Sequence, residues 1–189
     1  QRMVRSDLGS SGVMFSLDPE TGYNQVVTIN AAYGLGENVV QGAVNPDIFY
    51  IFKPTLGKVK NPIVTKSLGN KSIKMIYDIQ GNKPTKNVPV DISHRNKFCI
   101  TDEQAIQLAK WAVMIEEYYS KQAGHYKPMD MEWAIDGVTN KIFIVQARPE
   151  TVQSRKKKTS FVTYKLLEKK TPLITGISVG TQISTGIVN

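Results

Sequence analysis

Apolar and polar residues alternate most cleanly in two runs, 129–136 and 141–148, separated by Gly137-Val138-Thr139-Asn140. A period of two is that of a half-buried strand, and a Gly- and Asn-bearing break between two such runs predicts a β-hairpin. In the first run Met129, Met131, Trp133 and Ile135 share one face, and Asp130, Glu132 and Ala134 share the other. In the second, Phe143, Val145 and Ala147 share a face, opposite Ile142, Ile144, Gln146 and Arg148. Turning the chain around the 137–141 loop sets Glu132 opposite Gln146 and Asp130 opposite Arg148. Such cross-strand neighbours stand about 5 Å apart at their Cβ atoms.

Upstream the period lengthens. Ala105, Leu108, Ala109, Ala112, Ile115 and Tyr119 recur at spacings of three and four, which predicts an amphipathic helix. Thr101-Asp102-Glu103-Gln104 fits a capping box at its start, and Gly124 a stop at its end. Asp102 and Glu103 then complement the helix dipole and are not read as catalytic. Nearer the N-terminus, 13–17 and 25–29 read as antiparallel strands around the turn Asp18-Pro19-Glu20-Thr21-Gly22. Short strands are expected at 58–60, 71–77 and 88–92, among Gly, Asn and Pro. In the tail, Ile177, Val179, Ile183, Ile187 and Val188 are interleaved with Gly, Ser and Thr, like the first strands of a further β-rich unit. The class is α+β.

The 189 residues are 41% hydrophobic and 21% charged, enough for a packed core and for one domain or one and a part. No apolar run approaches the roughly 20 residues of a membrane helix, so no membrane partner is expected. The single Cys99 excludes an intrachain disulfide and is compatible with a reducing cytoplasm. The opening Gln1-Arg2-Met3-Val4-Arg5-Ser6 shows no leader and reads as the middle of a longer chain. The net charge of +8 is concentrated: residues 154–170 hold seven basic residues and one acid, Glu168. Nucleic-acid binders spread cations over a folded face with aromatics. Here a solvated connector is expected, and no nucleic-acid partner.

The hairpin carries the chemistry. Two carboxylates, an amide oxygen and a guanidinium converge on one face. Hard oxygen donors suit Mg²⁺, which binds through one or two carboxylates plus substrate phosphates, and a guanidinium forks onto phosphate. The patch suits a nucleoside triphosphate held through its metal. A polar sheet face with an Asp130–Arg148 ion pair fits the same pattern and is the commoner outcome. Gly9-Ser10-Ser11-Gly12 reads as a turn, lacking the Lys-Ser/Thr of a P-loop, and Gly34-Leu35-Gly36 lacks the third glycine of a dinucleotide signature. His94 and His125 have no ligand partners at metal spacing. Cys99 reads as a small buried residue.

Several longer motifs go further: Met3-Val4-Arg5-Ser6-Asp7, Ser11-Gly12-Val13-Met14-Phe15, the run from Tyr33-Gly34-Leu35-Gly36-Glu37-Asn38-Val39-Val40 to Asn45-Pro46-Asp47, Lys74-Met75-Ile76-Tyr77, Met129-Asp130-Met131-Glu132-Trp133, and Ile144-Val145-Gln146-Ala147-Arg148-Pro149-Glu150-Thr151-Val152. Together they resemble the phosphoenolpyruvate synthases (pyruvate, water dikinases), densely over 1–153 and faintly beyond. The resemblance implies the C-terminal part of an ATP-grasp nucleotide-binding domain at 1–153, a basic interdomain linker at 154–172, and the truncated start of a swivelling phosphohistidine domain at 173–189. It implies Glu132 and Gln146 as Mg²⁺ ligands with ATP, and Arg148, as the phosphate-contacting arginine, and Asp130 as ATP-binding residues of the same motif. Glu37, Asn38 and Val39 would lie towards the adenine. The family makes phosphoenolpyruvate from pyruvate, ATP and water in a gluconeogenic, cytoplasmic setting, and a homo-oligomer is expected of the full-length enzyme. The phosphohistidine motif does not occur here, so these residues alone are expected to be inactive. Another dikinase or an antibiotic phosphotransferase sharing the ATP-grasp, or a non-catalytic nucleotide-binding module, remain as alternatives.

Overall fold

The computed structural model describes residues 3–151 and Thr171. Nearly all of the linker expected at 154–172, and the segment 173–189, lie outside the described residues. The elements are β1 (Ser10–Phe15), β2 (Val26–Tyr33), α1 (Glu37–Val40), β3 (Asp47–Phe52), β4 (Ile63–Ser67), β5 (Ile73–Tyr77), β6 (Thr85–Pro89), α2 (Ile92–Arg95), α3 (Asp102–Ala123), β7 (Met129–Ile135) and β8 (Ile142–Pro149). Six strands form one sheet in the order β4-β3-β2-β1-β7-β8, antiparallel throughout, and β5 and β6 form a separate ribbon. This is a mixed α and β architecture built on antiparallel sheets.

One face of the sheet is apolar and packs under α3. Met14, Val27, Ile29, Phe49, Ile51, Met131 and Trp133 meet Ala105, Leu108, Ala109 and Ala112 there. The three alanines let the helix approach closely. Gly12 answers the bulk of Trp133: a Cβ at Gly12 would lie 2.8 Å from the indole and 1.8 Å from the Asn30 carbonyl. The α3 start is as the sequence predicts, with Thr101 Oγ1 accepting from Gln104 N–H and Gln104 accepting from Thr101 N–H. Gly124 ends it in the left-handed region at φ 71°. The helix face differs in its last turns. Tyr119 is exposed, and Glu116 is buried because Lys53 Nζ reaches both its carboxylate oxygens at 2.8 Å.

Other sequence expectations are corrected. Residues 9–12 are not a turn: β1 begins at Ser10 and pairs with strands on both sides. Residues 58–60 form no strand, since the chain is still turning after Gly57 (φ 79°). The edge strand β4 follows at Ile63. The strand expected at 88–92 lies earlier, and Ile92 opens α2.

Two features fasten the periphery. Lys71 and Asp47 are both 0% exposed, and the ammonium reaches the carboxylate at 2.5 Å. Lys71 Nζ also donates to the Gly69 carbonyl at 2.8 Å and the Arg95 carbonyl at 3.3 Å, while Asp47 accepts from Gly69 and Cys99 N–H, each at 2.8 Å. The β5–β6 ribbon hangs from the end of β2, where Leu35 N–H donates to the Met75 carbonyl at 2.9 Å. Gly34, at φ 85°, permits that approach, because a Cβ there would sit 2.5 Å from the Met75 oxygen. A second tie is Asn38 Nδ2 donating to Asn87 Oδ1 at 2.8 Å.

Candidate functional site

The face of the sheet turned away from α3 holds the polar patch. The core takes Met129, Met131 and Trp133, so alternation turns Asp130 and Glu132 outward on β7. The β7–β8 register sets Asp130 against Arg148 and Glu132 against Gln146, as the hairpin pattern predicts. Beyond Glu132 the register slips by one, and Trp133 pairs with Ile144. Val145 is the extra residue, which makes a β-bulge. The predicted face assignment is therefore corrected on this strand: Ile142, Ile144 and Ala147 pack against the core, and Val145 is exposed. The bulge lets one strand bury its apolar residues on both sides of the slip while Gln146 and Arg148 stay outward. Ile142, Ile144 and Ala147 share no single period of two, and that break is the signal sequence reasoning passed over.

The two halves of the patch behave differently. Arg148 donates from Nε to Asp130 Oδ2 at 2.8 Å, and its Nη2 lies 2.7 Å from the same oxygen. This bond, with the Asp130 charge and a smaller contribution from Glu132, raises the Arg148 pKa. The ion pair read as the commoner outcome is real for this pair. Glu132 and Gln146, by contrast, have no side-chain hydrogen bond or ion pair among the described residues. A carboxylate and an amide oxygen thus stand side by side on paired strands. Among the described residues no group of three His, Cys, Asp or Glu side chains forms a metal cage. That donor set fits Mg²⁺, which takes few protein ligands and fills its shell with water and phosphate oxygens.

Two hollows open on this face, one with Glu132 in its wall and one with Asp130 and Arg148, and Gln146 lines neither of them. One, of about 490 Å³, is lined by Met3, Val4, Ser11, Glu37, Glu132 and Val145 among others. The other, of about 600 Å³, is lined by Phe15, Pro19, Asp130, Arg148, Glu150 and Thr151 among others. The sequence motif 37–39 divides. Glu37 lines the first hollow, where its carboxylate accepts from Gln41 Nε2 at 2.9 Å. Asn38 is buried and bonded to Asn87, and the neighbours Val40 and Gln41, not Val39, face the hollow. Met3, Val4 and Val145 were not singled out as lining residues from sequence. Ser11 joins the wall through β1 and not through a turn, its Oγ donating to the Gly34 carbonyl at 2.6 Å.

Residues 1–168 match the family model described as pyruvate phosphate dikinase, AMP/ATP-binding domain. The phosphoenolpyruvate synthase of Synechocystis sp. is 58% identical over 186 residues, covering 98% of this chain and 23% of the relative. That of Aquifex aeolicus is 53% identical, covering 98% and 22%, and that of Helicobacter pylori 50% identical, covering 100% and 24%. The chain spans just under a quarter of the length of these curated relatives. No helix among the described residues is long and apolar enough to cross a membrane.

Proposed function

The chain belongs to the family of the pyruvate phosphate dikinase AMP/ATP-binding domain, and from that premise we propose that it is part of a phosphoenolpyruvate synthase. Residues 1–153 would be the C-terminal part of an ATP-grasp domain, 154–172 a connector, and 173–189 the opening of a swivelling phosphohistidine domain. The intact enzyme converts pyruvate, ATP and water into phosphoenolpyruvate, AMP and phosphate, and works as a cytoplasmic homo-oligomer. ATP gives its β,γ-pyrophosphoryl group to a histidine outside these residues and leaves as AMP. Water then releases one phosphate, and the remaining phosphoryl group passes to pyruvate.

The observation that carries this reading is the Glu132–Gln146 pair, without side-chain partners among the described residues, beside the Arg148 guanidinium. Glu132 and Gln146 would hold Mg²⁺, which when bound neutralises phosphate charge and polarises the transferring group. Glu132 supplies the negative charge and Gln146 a neutral oxygen, so the pair does not overload the site with charge that phosphates must also bring. Arg148 meets phosphate oxygens with a planar fork. Glu37 and the hollow around it form the nucleoside end of the cleft.

The test is Glu132→Gln in the intact enzyme, read as AMP formed from ATP. Loss of the ligand charge lowers the rate by about 100-fold or more, the scale on which one electrostatic group at a transition state acts. An unchanged melting temperature excludes misfolding. Near-normal AMP formation removes Glu132 from the metal site and with it this reading.

A further inference from the structure

We infer that Asp130 is a positioning residue for Arg148, not a ligand of the nucleotide or its metal, an assignment that rests on the function proposed above. Arg148 Nε and Nη2 both address one oxygen of Asp130, at 2.8 and 2.7 Å. A guanidinium has five N–H donors, so this side-on contact leaves the outer fork for an anion. The asymmetry of exposure agrees: the Asp130 side chain is 14% exposed and that of Arg148 65%. The acid is anchored and the cation is presented.

The anchor is rigid for a reason visible in the sheet. Asp130 sits on β7, an inner strand, with Phe15 paired on one side and Arg148 on the other. Arg148 sits on β8, the edge strand, where a long side chain has little to hold it. Both line the hollow of about 600 Å³, two residues along β7 and β8 from the Glu132–Gln146 pair. The guanidinium is therefore held at the mouth of the hollow that would take the anionic end of a nucleotide.

Asp130 also keeps Arg148 away from Glu132. The Glu132 charge acts on Arg148, and among the described residues Glu132 has no side-chain hydrogen bond or ion pair. Without Asp130 the guanidinium is free to pair with Glu132 and compete with a cation there. A positioning role thus predicts a defect in metal dependence although Asp130 binds no metal.

The experiment uses the intact enzyme with Asp130→Ala, Asp130→Asn, Arg148→Ala, the Asp130→Ala/Arg148→Ala pair and Glu132→Gln. AMP formation from ATP is measured against Mg²⁺ concentration. Asp130→Ala raises the Mg²⁺ needed for half-maximal rate by about tenfold, within the range of couplings between contacting groups. Asp130→Asn, which keeps an acceptor oxygen at the same place, recovers part of the loss. In the double variant the Mg²⁺ requirement returns to that of Arg148→Ala alone, because the competing guanidinium is gone. If the two single defects multiply in the double variant, or if Asp130→Ala leaves the Mg²⁺ requirement unchanged, Asp130 does not act through Arg148 and the inference is overturned. If Glu132→Gln leaves AMP formation intact, the proposed function falls as well, so the two failures are told apart. Should Asp130→Ala not fold, the isosteric Asp130→Asn carries the test: a shifted Mg²⁺ requirement that Arg148→Ala abolishes supports the inference, and an unshifted one overturns it.

Discussion

Replacing Lys71 with Met tests the fastening of the sheet's flank. The side chains are similar in length, so the change removes a charge and its donors with little loss of volume. Lys71 and Asp47 are both 0% exposed, and the ammonium serves Asp47, the Gly69 carbonyl and the Arg95 carbonyl together. Breaking a buried pair by deleting one partner costs about 3–5 kcal/mol, because the other charge stays buried. Asp47 keeps two backbone donors, from Gly69 and Cys99, which places the cost near the lower end, about 3 kcal/mol. Lys71 also occupies the left-handed region at φ 44°, and Met retains that strain, so no compensating relief arises. For a domain of this size about 3 kcal/mol lowers the melting temperature by roughly 6–12 °C. Thermal unfolding followed by the fluorescence of Trp133 in the core and Trp111 packed against it reads this. Adding Asp47→Asn, which removes the stranded charge, then costs less than the sum of the single changes by at least about 1 kcal/mol. A Lys71→Met shift below about 2 °C, or additive effects in the double variant, would refute the account of the pair as a coupled unit.

Deleting Val145 removes the bulge but leaves Ile144 opposite Trp133 and Gln146 opposite Glu132 in an unbroken alternation. The melting temperature therefore stays within a few degrees, while AMP formation falls by roughly tenfold or more as the extra twist that aims Gln146 and Arg148 is lost; unimpaired activity would show that the bulge does not aim them. The acid limb of stability depends on Asp136, whose carboxyl is held at about 2 by hydrogen bonds from the N–H groups of Thr139, Arg5 and Val138. An unfolded Asp titrates near ~3.9, so this depressed value contributes stability fully above that pH and loses it as pH falls towards 2. Asp136→Asn should flatten the melting-temperature profile between pH 4 and 2, and an unchanged slope there would count against the role.

The parts legible in sequence are those where local chemistry decides. Thr101 and Gln104 are three residues apart and cap α3 by themselves, and Gly124 ends it without help. The hairpin and its alternation were legible, but the pairs Asp130–Arg148 and Glu132–Gln146 hold only because the Val145 bulge offsets a loop one residue shorter than the 137–141 loop predicted: at the loop Ile135 pairs with Ile142. What escaped depends on distant partners. The run Asp47-Ile48-Phe49-Tyr50-Ile51-Phe52 shows no alternation of polarity, yet β3 buries Phe49 and Ile51 and leaves Ile48 and Tyr50 half-buried. Glu116 goes inward because Lys53, 63 residues earlier, and the Tyr126 hydroxyl meet it there. The slip at Val145 falls between Glu132 and Trp133 of the partner strand. In the site itself, residue types and alternation were readable, but the division into a paired and an unpaired half required the atoms.

The tie between Asn38 and Asn87 makes the ribbon and the cleft wall mechanically one body at low energies. Asn38 is 2% exposed, so separating the two amides strands a buried polar group at a cost of about 1–3 kcal/mol. Thermal displacements of the ribbon smaller than that carry Asn38 with them, and with it α1 and the adjacent Glu37. One side-chain hydrogen bond thus fastens the ribbon to the short helix whose first residue, Glu37, stands in the wall of the hollow.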